Sequence, residues 1–174
     1  MQLKLKLTVA AAIACVAGMA SAQDTQVVKI GHVAPMSGGQ AHYGKDNENG
    51  VRMAIEELNT QNIVIGGKKI RFEIAAEDDA ADPKQGAAVA QKLCDAKVAG
   101  VVGHLNSGTT IPASKVYNDC GIPHVTGAAT NPNLTKPGYK TTYRIIANDN
   151  ASVSYTHLRA HETDSYLVCR LLLE

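Results

Sequence analysis

Tryptophan is absent from this sequence of 174 residues, phenylalanine occurs once, and aromatic residues make up 4% of the chain. Small residues are abundant instead, and this balance suits helices packed closely on a sheet better than an all-β sandwich. An excess of one charge is also lacking, because 17 lysine and arginine residues offset 16 acidic residues. Since the basic residues form no cluster either, we expect no nucleic-acid partner.

Motifs for metal binding and catalysis are also lacking. No Cys or His pair has zinc-ligand spacing in the part of the chain that we expect to fold. The acidic run 77–79 lacks the regular ligand spacing of a calcium loop, so we interpret it as the solvated end of a strand. Residues 39–46 match phosphate-loop spacing, but Asp46 stands where that loop needs Ser or Thr. Ser107 has no plausible His–Asp pair. We therefore expect no metal, no cofactor and no enzymatic activity.

The start of the chain has the pattern of a secretory signal peptide. Lys4 and Lys6 precede an apolar stretch over 7–20, and Ala20-Ser21-Ala22 follows as a small-residue cleavage site. The apolar stretch is too short for a membrane helix of about 20 residues. We therefore expect residues 1–22 to be removed by cleavage after Ala22 and the mature protein to be exported.

About 150 residues remain after cleavage, which is enough for one domain with a proper core. Strand and helix patterns alternate along them, with a Gly66-Gly67 turn before the second main strand. This order predicts an α/β, Rossmann-like fold with a mostly parallel sheet and helices on both faces. The predicted strands cover 27–34, 71–76, 98–102, 122–126 and 142–147, and the predicted helices cover 45–59, a segment that begins at Asp82, and 109–120.

The stretch 98–132 has the order strand, loop, helix, strand, loop. Ser107 stands where a cap is expected for the helix over 109–120, and a helix N-terminus attracts anions. The next loop, 127–130, consists of small residues and ends with the hydroxyl of Thr130. Two such loops at the carboxyl ends of neighbouring strands are suited to hold a carboxylate and an ammonium group. The alternative, in which Ser107 is only a cap and 127–130 only a turn, stays open.

Tyr43 is expected in the loop after the first strand, on the same rim as Ser107 and Thr130. A tyrosine there offers an apolar face to a ligand side chain, or packs over the start of the following helix.

Cys94 and Cys120 lie near the ends of two consecutive predicted helices. An exported protein permits a disulfide between them, and two unpaired buried cysteines are the alternative.

Several separated motifs resemble the leucine/isoleucine/valine-binding proteins of bacterial ABC transporters. The similarity covers roughly residues 1–150 and implies the N-terminal lobe of the type I periplasmic binding fold. The motifs are Lys29-Ile-Gly-His-Val-Ala-Pro-Met-Ser-Gly-Gly39, Tyr43-Gly44, Asp78-Asp-Ala-Ala-Asp-Pro-Lys-Gln85, Val101-Val-Gly-His-Leu-Asn-Ser107, Ile111-Pro-Ala-Ser114 and Thr126-Gly-Ala-Ala-Thr130.

The resemblance implies a role for each candidate residue. Ser107 and Thr130 hold the α-carboxylate of an amino acid, and the carbonyl of Ala128 helps to bind its ammonium group. Ala129 lines the pocket, and Tyr43 covers the aliphatic side chain. The expected partners are a small amino acid such as leucine, isoleucine or valine, and the permease and ATPase subunits of an importer.

Two departures from the family pattern affect these expectations. Many relatives have cysteines at the positions of Ala81 and Asn106, so the disulfide that joins them is not expected here. Relatives also have a second lobe, whereas the resemblance stops near residue 150. We expect residues 151–174 to be a non-family tail that is artefactual or disordered. Other functions left open are a ligand-sensing module of the same fold, an exported hydrolase, and a non-functional truncated fragment.

Overall fold

The computed structural model describes residues 25–154, so the predicted signal peptide and most of the predicted tail lie outside the described residues. Residues 149–154 are helical. Within the described range no helix combines the length and apolarity needed to cross a membrane. The strands are β1 (Thr25–Ala34), β2 (Val64–Ile65), β3 (Lys68–Asp78), β4 (Gly100–Gly103), β5 (His124–Thr126) and β6 (Thr142–Arg144), and the helices are α1 (Ala41–Thr60), α2 (Pro83–Asp95) and α3 (Ser107–Cys120), with short 3₁₀ turns at Gly38–Gln40 and Pro132–Leu134.

The strands form one six-stranded sheet in the order β2-β3-β1-β4-β5-β6. All neighbouring pairs are parallel except β2 and β3, which form an antiparallel hairpin. The hairpin turns at Gly66 and Gly67, whose φ angles of 59° and 81° favour glycine. The mostly parallel sheet predicted from the sequence is confirmed.

Helices cover both faces of the sheet, as predicted. A side chain at Gly31 would meet Leu93 of α2 and Val101, whereas its neighbour Ile30 lines a groove beside α1. Successive residues of a strand point to opposite faces, so α1 lies on one face and α2 on the other. The main core lies between the sheet, α2 and α3, and it includes Val33, Val89, Ala90, Leu93, Val101, Ala113 and Tyr117.

The face that carries α1 is only partly covered within the described residues. Helix α1 packs against β1 and β3, and Val102 of β4 on that face is 39% exposed. An apolar groove therefore runs beside α1, lined by Ile30, Val51, Ala54, Leu58 and Val102 among others.

Helix α1 begins earlier than the sequence pattern predicts. It starts at Ala41 rather than Lys45 and follows a 3₁₀ turn directly. Tyr43 therefore lies in the first turn of a helix, and its predicted position in a loop is wrong. Gly44 explains the close packing at this point, because a side chain there would come within 1.9 Å of the carbonyl oxygen of Pro35. Only glycine lets the helix approach the end of β1 so closely.

The start of α2 matches the sequence prediction, whereas α3 differs in one respect. Asp82 caps α2 by accepting a hydrogen bond from the backbone N–H of Gln85 at 2.8 Å, with Pro83 as the first helical residue. The helix predicted over 109–120 begins two residues earlier, at Ser107, so Pro112 lies in the second turn of α3. Because proline has no backbone N–H, the carbonyl of Gly108 receives no hydrogen bond from residue 112.

A disulfide joins Cys94 at the end of α2 to Cys120 at the end of α3, with Cα atoms 6.2 Å apart. The two helices pack against each other along the same face of the sheet. The disulfide therefore closes a loop of the chain that includes β4 and the core residues Val98, Val101, Ala113 and Tyr117.

Replacing both cysteines with serine is expected to lower the free energy of unfolding by about 3 kcal/mol, because closing a loop with a sequence separation of 26 residues restricts the unfolded chain. Urea unfolding followed by circular dichroism measures this difference. Reduction of the wild-type protein serves as the control and should produce the same loss. Equal stability of the oxidised wild-type protein and the double variant would contradict a structural disulfide.

Candidate functional site

The candidate site lies where the order of the sheet changes direction. The chain passes from β1 to β3 on one side and then returns to β4 on the other side of β1. The loops that follow β1 and β4 consequently lead to helices on opposite faces. A crevice opens between the carboxyl ends of such strands, and ligands of open α/β sheets bind there.

Two hydrogen bonds hold together the loops that follow β4 and β5. The hydroxyl of Thr126 donates to the carbonyl of His104 at 3.0 Å, and the hydroxyl of Ser107 accepts from the backbone N–H of Asn131 at 3.2 Å. Thr126 also accepts from the N–H groups of Ala128 and Ala129 at 3.3 and 3.1 Å. Thr126 and Asn131 were not recognised from the sequence. A small polar residue at the end of a predicted strand was the available signal for Thr126.

Ser107 was predicted to cap its helix, and that prediction is wrong. Ser107 is instead the first helical residue of α3. Asn106 occupies the cap position, and its side chain makes no capping hydrogen bond. That side chain instead donates to Gln40 at 2.8 Å, which links the loops after β1 and β4. The first N–H groups of α3 therefore have no side-chain cap, and the positive end of the helix dipole points toward the crevice edge.

The remaining candidate residues lie around this edge at different depths. Thr130 and Ala128 are half-buried, whereas Ala129 is fully buried and lies beneath the open surface. The carbonyl of Thr130 accepts from the N–H of Asp149 at 3.0 Å. Tyr43 is 57% exposed, and its ring lies against that of His42 with centroids 3.9 Å apart. The roles of these residues toward a ligand stay predictions.

A cationic side chain reinforces the positive character of this edge. The guanidinium of Arg144, at the end of β6, donates to the carbonyl of Asn131 at 3.0 Å. Arginine remains protonated at any physiological pH.

Over residues 25–154 no three acidic, His or Cys side chains are grouped closely enough to hold a metal ion.

The acidic run 77–79 is not a solvated strand end, and that prediction is wrong. Glu77 forms an ion pair with Lys92 at 2.8 Å. Asp78 accepts from the N–H groups of Met36 and Ala80 at 2.7 and 2.8 Å, which ties the end of β3 to the loop after β1. These backbone N–H donors give the carboxylate a structural function at the strand end.

Asp79 is completely buried, and no sequence pattern indicated its partner. Its carboxylate accepts a hydrogen bond from His104 Nδ1 at 2.7 Å and from the N–H of Ala81 at 3.0 Å. Burial raises the pKa of Asp79, but the hydrogen bonds from His104 and Ala81 outweigh this effect and hold the pKa below its usual value. Tyr117 lies 3.1 Å from the other ring nitrogen of His104, and burial raises the pKa of its hydroxyl.

A second buried histidine lies beside this group. His124 contacts Tyr117 with ring centroids 5.1 Å apart, and its Nε2–H donates to the carbonyl of Gly103. Its Nδ1 is buried without a hydrogen-bond partner. Burial, together with the nearby His104, lowers the pKa of His124 to about 4. His124 is therefore neutral in the folded protein at neutral pH.

Comparison with known protein families identifies the fold. Residues 27–162 match the model of the periplasmic binding protein family. The chain belongs to this family. The resemblance that the sequence motifs indicated is thereby confirmed. The match extends beyond residue 150, where we expected the resemblance to stop.

Individual members of the periplasmic binding protein family match a large share of the chain. The "Leucine-, isoleucine-, valine-, threonine-, and alanine-binding protein" of Pseudomonas aeruginosa is 41% identical over 145 residues, which are 83% of this chain and 38% of that protein. The "Leucine-specific-binding protein" of Salmonella typhimurium is 37% identical over 151 residues, which are 87% of this chain and 40% of that protein. The chain thus spans about 40% of the length of these relatives.

Solved structures of transporter binding proteins share the fold. A branched-chain amino acid transporter substrate binding protein from Streptococcus pneumoniae, in complex with isoleucine, superposes with a TM-score of 0.65 at 30% identity, over 71% of this chain and 35% of that one. A substrate-binding protein from Desulfitobacterium hafniense, in complex with leucine, gives a TM-score of 0.68 at 28% identity, over 79% of this chain and 39% of that one.

The burial of His124 predicts a loss of stability in mild acid. Its pKa is about 4 in the folded protein and near 6.5 in the unfolded chain, so the unfolded chain binds more protons between these values. The free energy of unfolding should therefore fall as the pH decreases from about 6.5 to 4, with His124 contributing about 3 kcal/mol. Urea unfolding at a series of pH values measures this slope.

Replacement of His124 with glutamine retains an N–H donor and removes the titratable group, so it should flatten the slope. The exposed His42, replaced in the same way, is the matched control and should leave the slope unchanged. A His124→Gln variant with the pH dependence of the wild-type protein would contradict this assignment.

Proposed function

We propose that this chain is the N-terminal lobe of a solute-binding protein that captures branched-chain or related amino acids for an ABC importer. The observation that carries the proposal is the position of Ser107. Its hydroxyl lies at the uncapped N-terminus of α3, and it is hydrogen-bonded to the loop that follows Thr130. A helix N-terminus that lies at the carboxyl edge of an open sheet is suited to bind a carboxylate.

In this proposal the α-carboxylate of the ligand binds to the hydroxyl groups of Ser107 and Thr130 and to the first N–H groups of α3. Because Ser107 accepts from Asn131 N–H, its own hydroxyl proton is available to a ligand oxygen. The nearby Arg144 adds a favourable positive potential. The carbonyl of Ala128 binds the ammonium group, and the exposed ring of Tyr43 covers the aliphatic side chain. Ala129, which is buried, supports the pocket from beneath.

The relatives support an amino acid as the ligand. The curated relatives at 41% and 37% identity carry names that specify leucine, or a set of small amino acids that includes it. Two structural neighbours hold isoleucine and leucine. We therefore choose leucine as the first ligand to test.

The proposed cellular role follows from the same family. The protein acts in the periplasm after removal of residues 1–22, and it delivers its ligand to the permease and ATPase subunits of an importer. It binds its ligand without altering it. Because such proteins enclose their ligand between two lobes, the lobe described here should bind leucine weakly by itself.

Replacement of Ser107 with alanine is expected to weaken leucine binding by ~1–3 kcal/mol, because a hydrogen bond to the ligand carboxylate is lost. Titration of ¹⁵N-labelled protein with L-leucine, followed by NMR, measures weak affinities of this kind. Ser114→Ala is the matched control, since Ser114 lies in the same helix and donates to the carbonyl of Ile111 at 2.7 Å. The control should bind leucine like the wild-type protein.

Comparison of L-leucine with L-leucinol tests which ligand group Ser107 contacts. Leucinol lacks the carboxylate, so Ser107→Ala should weaken leucine binding much more than leucinol binding. Equal losses for both ligands, or unchanged leucine affinity in the variant, would contradict the assigned role.

A further inference from the structure

The loop that leads to Ser107 begins at a residue that is held from three directions. His104 follows β4, and its carbonyl accepts from the hydroxyl of Thr126 at 3.0 Å. Its ring contacts Asp79 at 2.7 Å on one side and Tyr117 at 3.1 Å on the other. These partners come from β5, from the end of β3 and from α3. The backbone and side chain of His104 are thus both fixed before the chain reaches Ser107.

The hydrogen-bond donors and acceptors of this group can be assigned from its chemistry. An ionised carboxylate only accepts, so Nδ1 of His104 carries a proton and donates to Asp79. In a neutral imidazole Nε2 then accepts, and the hydroxyl of Tyr117 donates to it. Since burial raises the pKa of Tyr117, that hydroxyl retains its proton. With a neutral imidazole, the order of donation is from Tyr117 to His104 and from His104 to Asp79.

Stability alone is a weak explanation for this group. The side chains of Asp79 and His104 are both 0% exposed, and burial of a charged or strongly polar group carries a large desolvation cost. Apolar residues of similar volume often stabilise a core as well or better. A completely hydrogen-bonded polar group, by contrast, fixes one orientation of its members.

We propose that Asp79 and Tyr117 are positioning residues that act through His104 to hold residues 104–107 in the geometry that binds the ligand carboxylate. This inference rests on the proposed function for the role of Ser107. It extends that function to residues that lie beneath the site and do not touch the ligand. Asp79 and Tyr117 therefore affect ligand affinity indirectly, by keeping residues 104–107 in one conformation.

Two substitutions test the inference. Both carboxylate oxygens of Asp79 accept from N–H groups, whereas asparagine offers one acceptor oxygen. Asp79→Asn therefore deprives either His104 or Ala81 of its acceptor. Tyr117→Phe retains the aromatic ring and removes only the donor to His104. If the Asp79→Asn variant does not fold, the Tyr117→Phe variant tests the inference by itself.

The expected result is a local change together with a loss of affinity. The amides of residues 105–108 should exchange hydrogen faster in each variant, and leucine affinity should fall about tenfold, as for loss of a charge-assisted hydrogen bond. The Cys94→Ser/Cys120→Ser double variant is the matched control, because it loses stability at the opposite ends of α2 and α3. Its loop exchange and leucine affinity should equal those of the wild-type protein, measured well below its unfolding temperature.

The results separate this inference from the proposed function. Faster exchange confined to 105–108 in both folded variants, with weaker leucine binding, supports positioning. Loop exchange equal to that of the cysteine control would overturn it, as would unchanged leucine affinity in a variant whose loop exchanges faster. If the wild-type protein itself fails to bind leucine, the proposed function fails, while the exchange rates still test whether these residues order the loop.

Discussion

A hydrogen bond between two buried side chains joins the ends of two strands that are neighbours of β1. The carboxylate of Asp79, which follows β3, accepts a hydrogen bond from Nδ1 of His104, which follows β4, at 2.7 Å. Neither side chain is exposed to solvent. Because each group would be costly to bury alone, the pair specifies how the two strand ends lie relative to each other. The loop that carries Ser107 starts from this fixed point.

Further hydrogen bonds hold together the loops at the crevice edge. Thr126 joins the loops after β4 and β5, Asn106 joins the loops after β1 and β4, and Asp78 joins the end of β3 to the loop after β1. Most of these contacts pair a side chain with backbone groups, so they position the loops themselves. Together they hold the N-terminus of α3 open toward solvent, where a carboxylate gains from both its N–H groups and its dipole.

Much of the fold could be predicted from the sequence because its signals are local. The Asp82-Pro83 helix start, the Gly66-Gly67 turn and the alternation of strands and helices all depend on residues close in the chain. The start of α1 was misplaced because it depends on the fit of Gly44 against Pro35, a contact between a helix and a strand end. The cap of α3 was also misassigned because it depends on a contact that is distant in the chain. The hydroxyl of Ser107 accepts a hydrogen bond from the N–H of Asn131, 24 residues away.

The acidic residues at the end of β3 illustrate the limit of a sequence pattern. Asp78 and Asp79 look like a polar strand end until β4 and the loop after β1 bring donors to them. The side chain of His104 lies in the core between partners that are 25 and 13 residues distant in the chain, so no local pattern could indicate its role. Local patterns therefore predicted the loops at the crevice edge but not the buried groups beneath them.

The most direct test of the account is a crystal structure of this chain with L-leucine at a concentration well above its dissociation constant. In that structure we expect a carboxylate oxygen of leucine at about 2.7–3.2 Å from the hydroxyl of Ser107, with the first N–H groups of α3 directed at the same carboxylate. Leucine bound elsewhere, or bound with its carboxylate directed away from Ser107, would contradict the account.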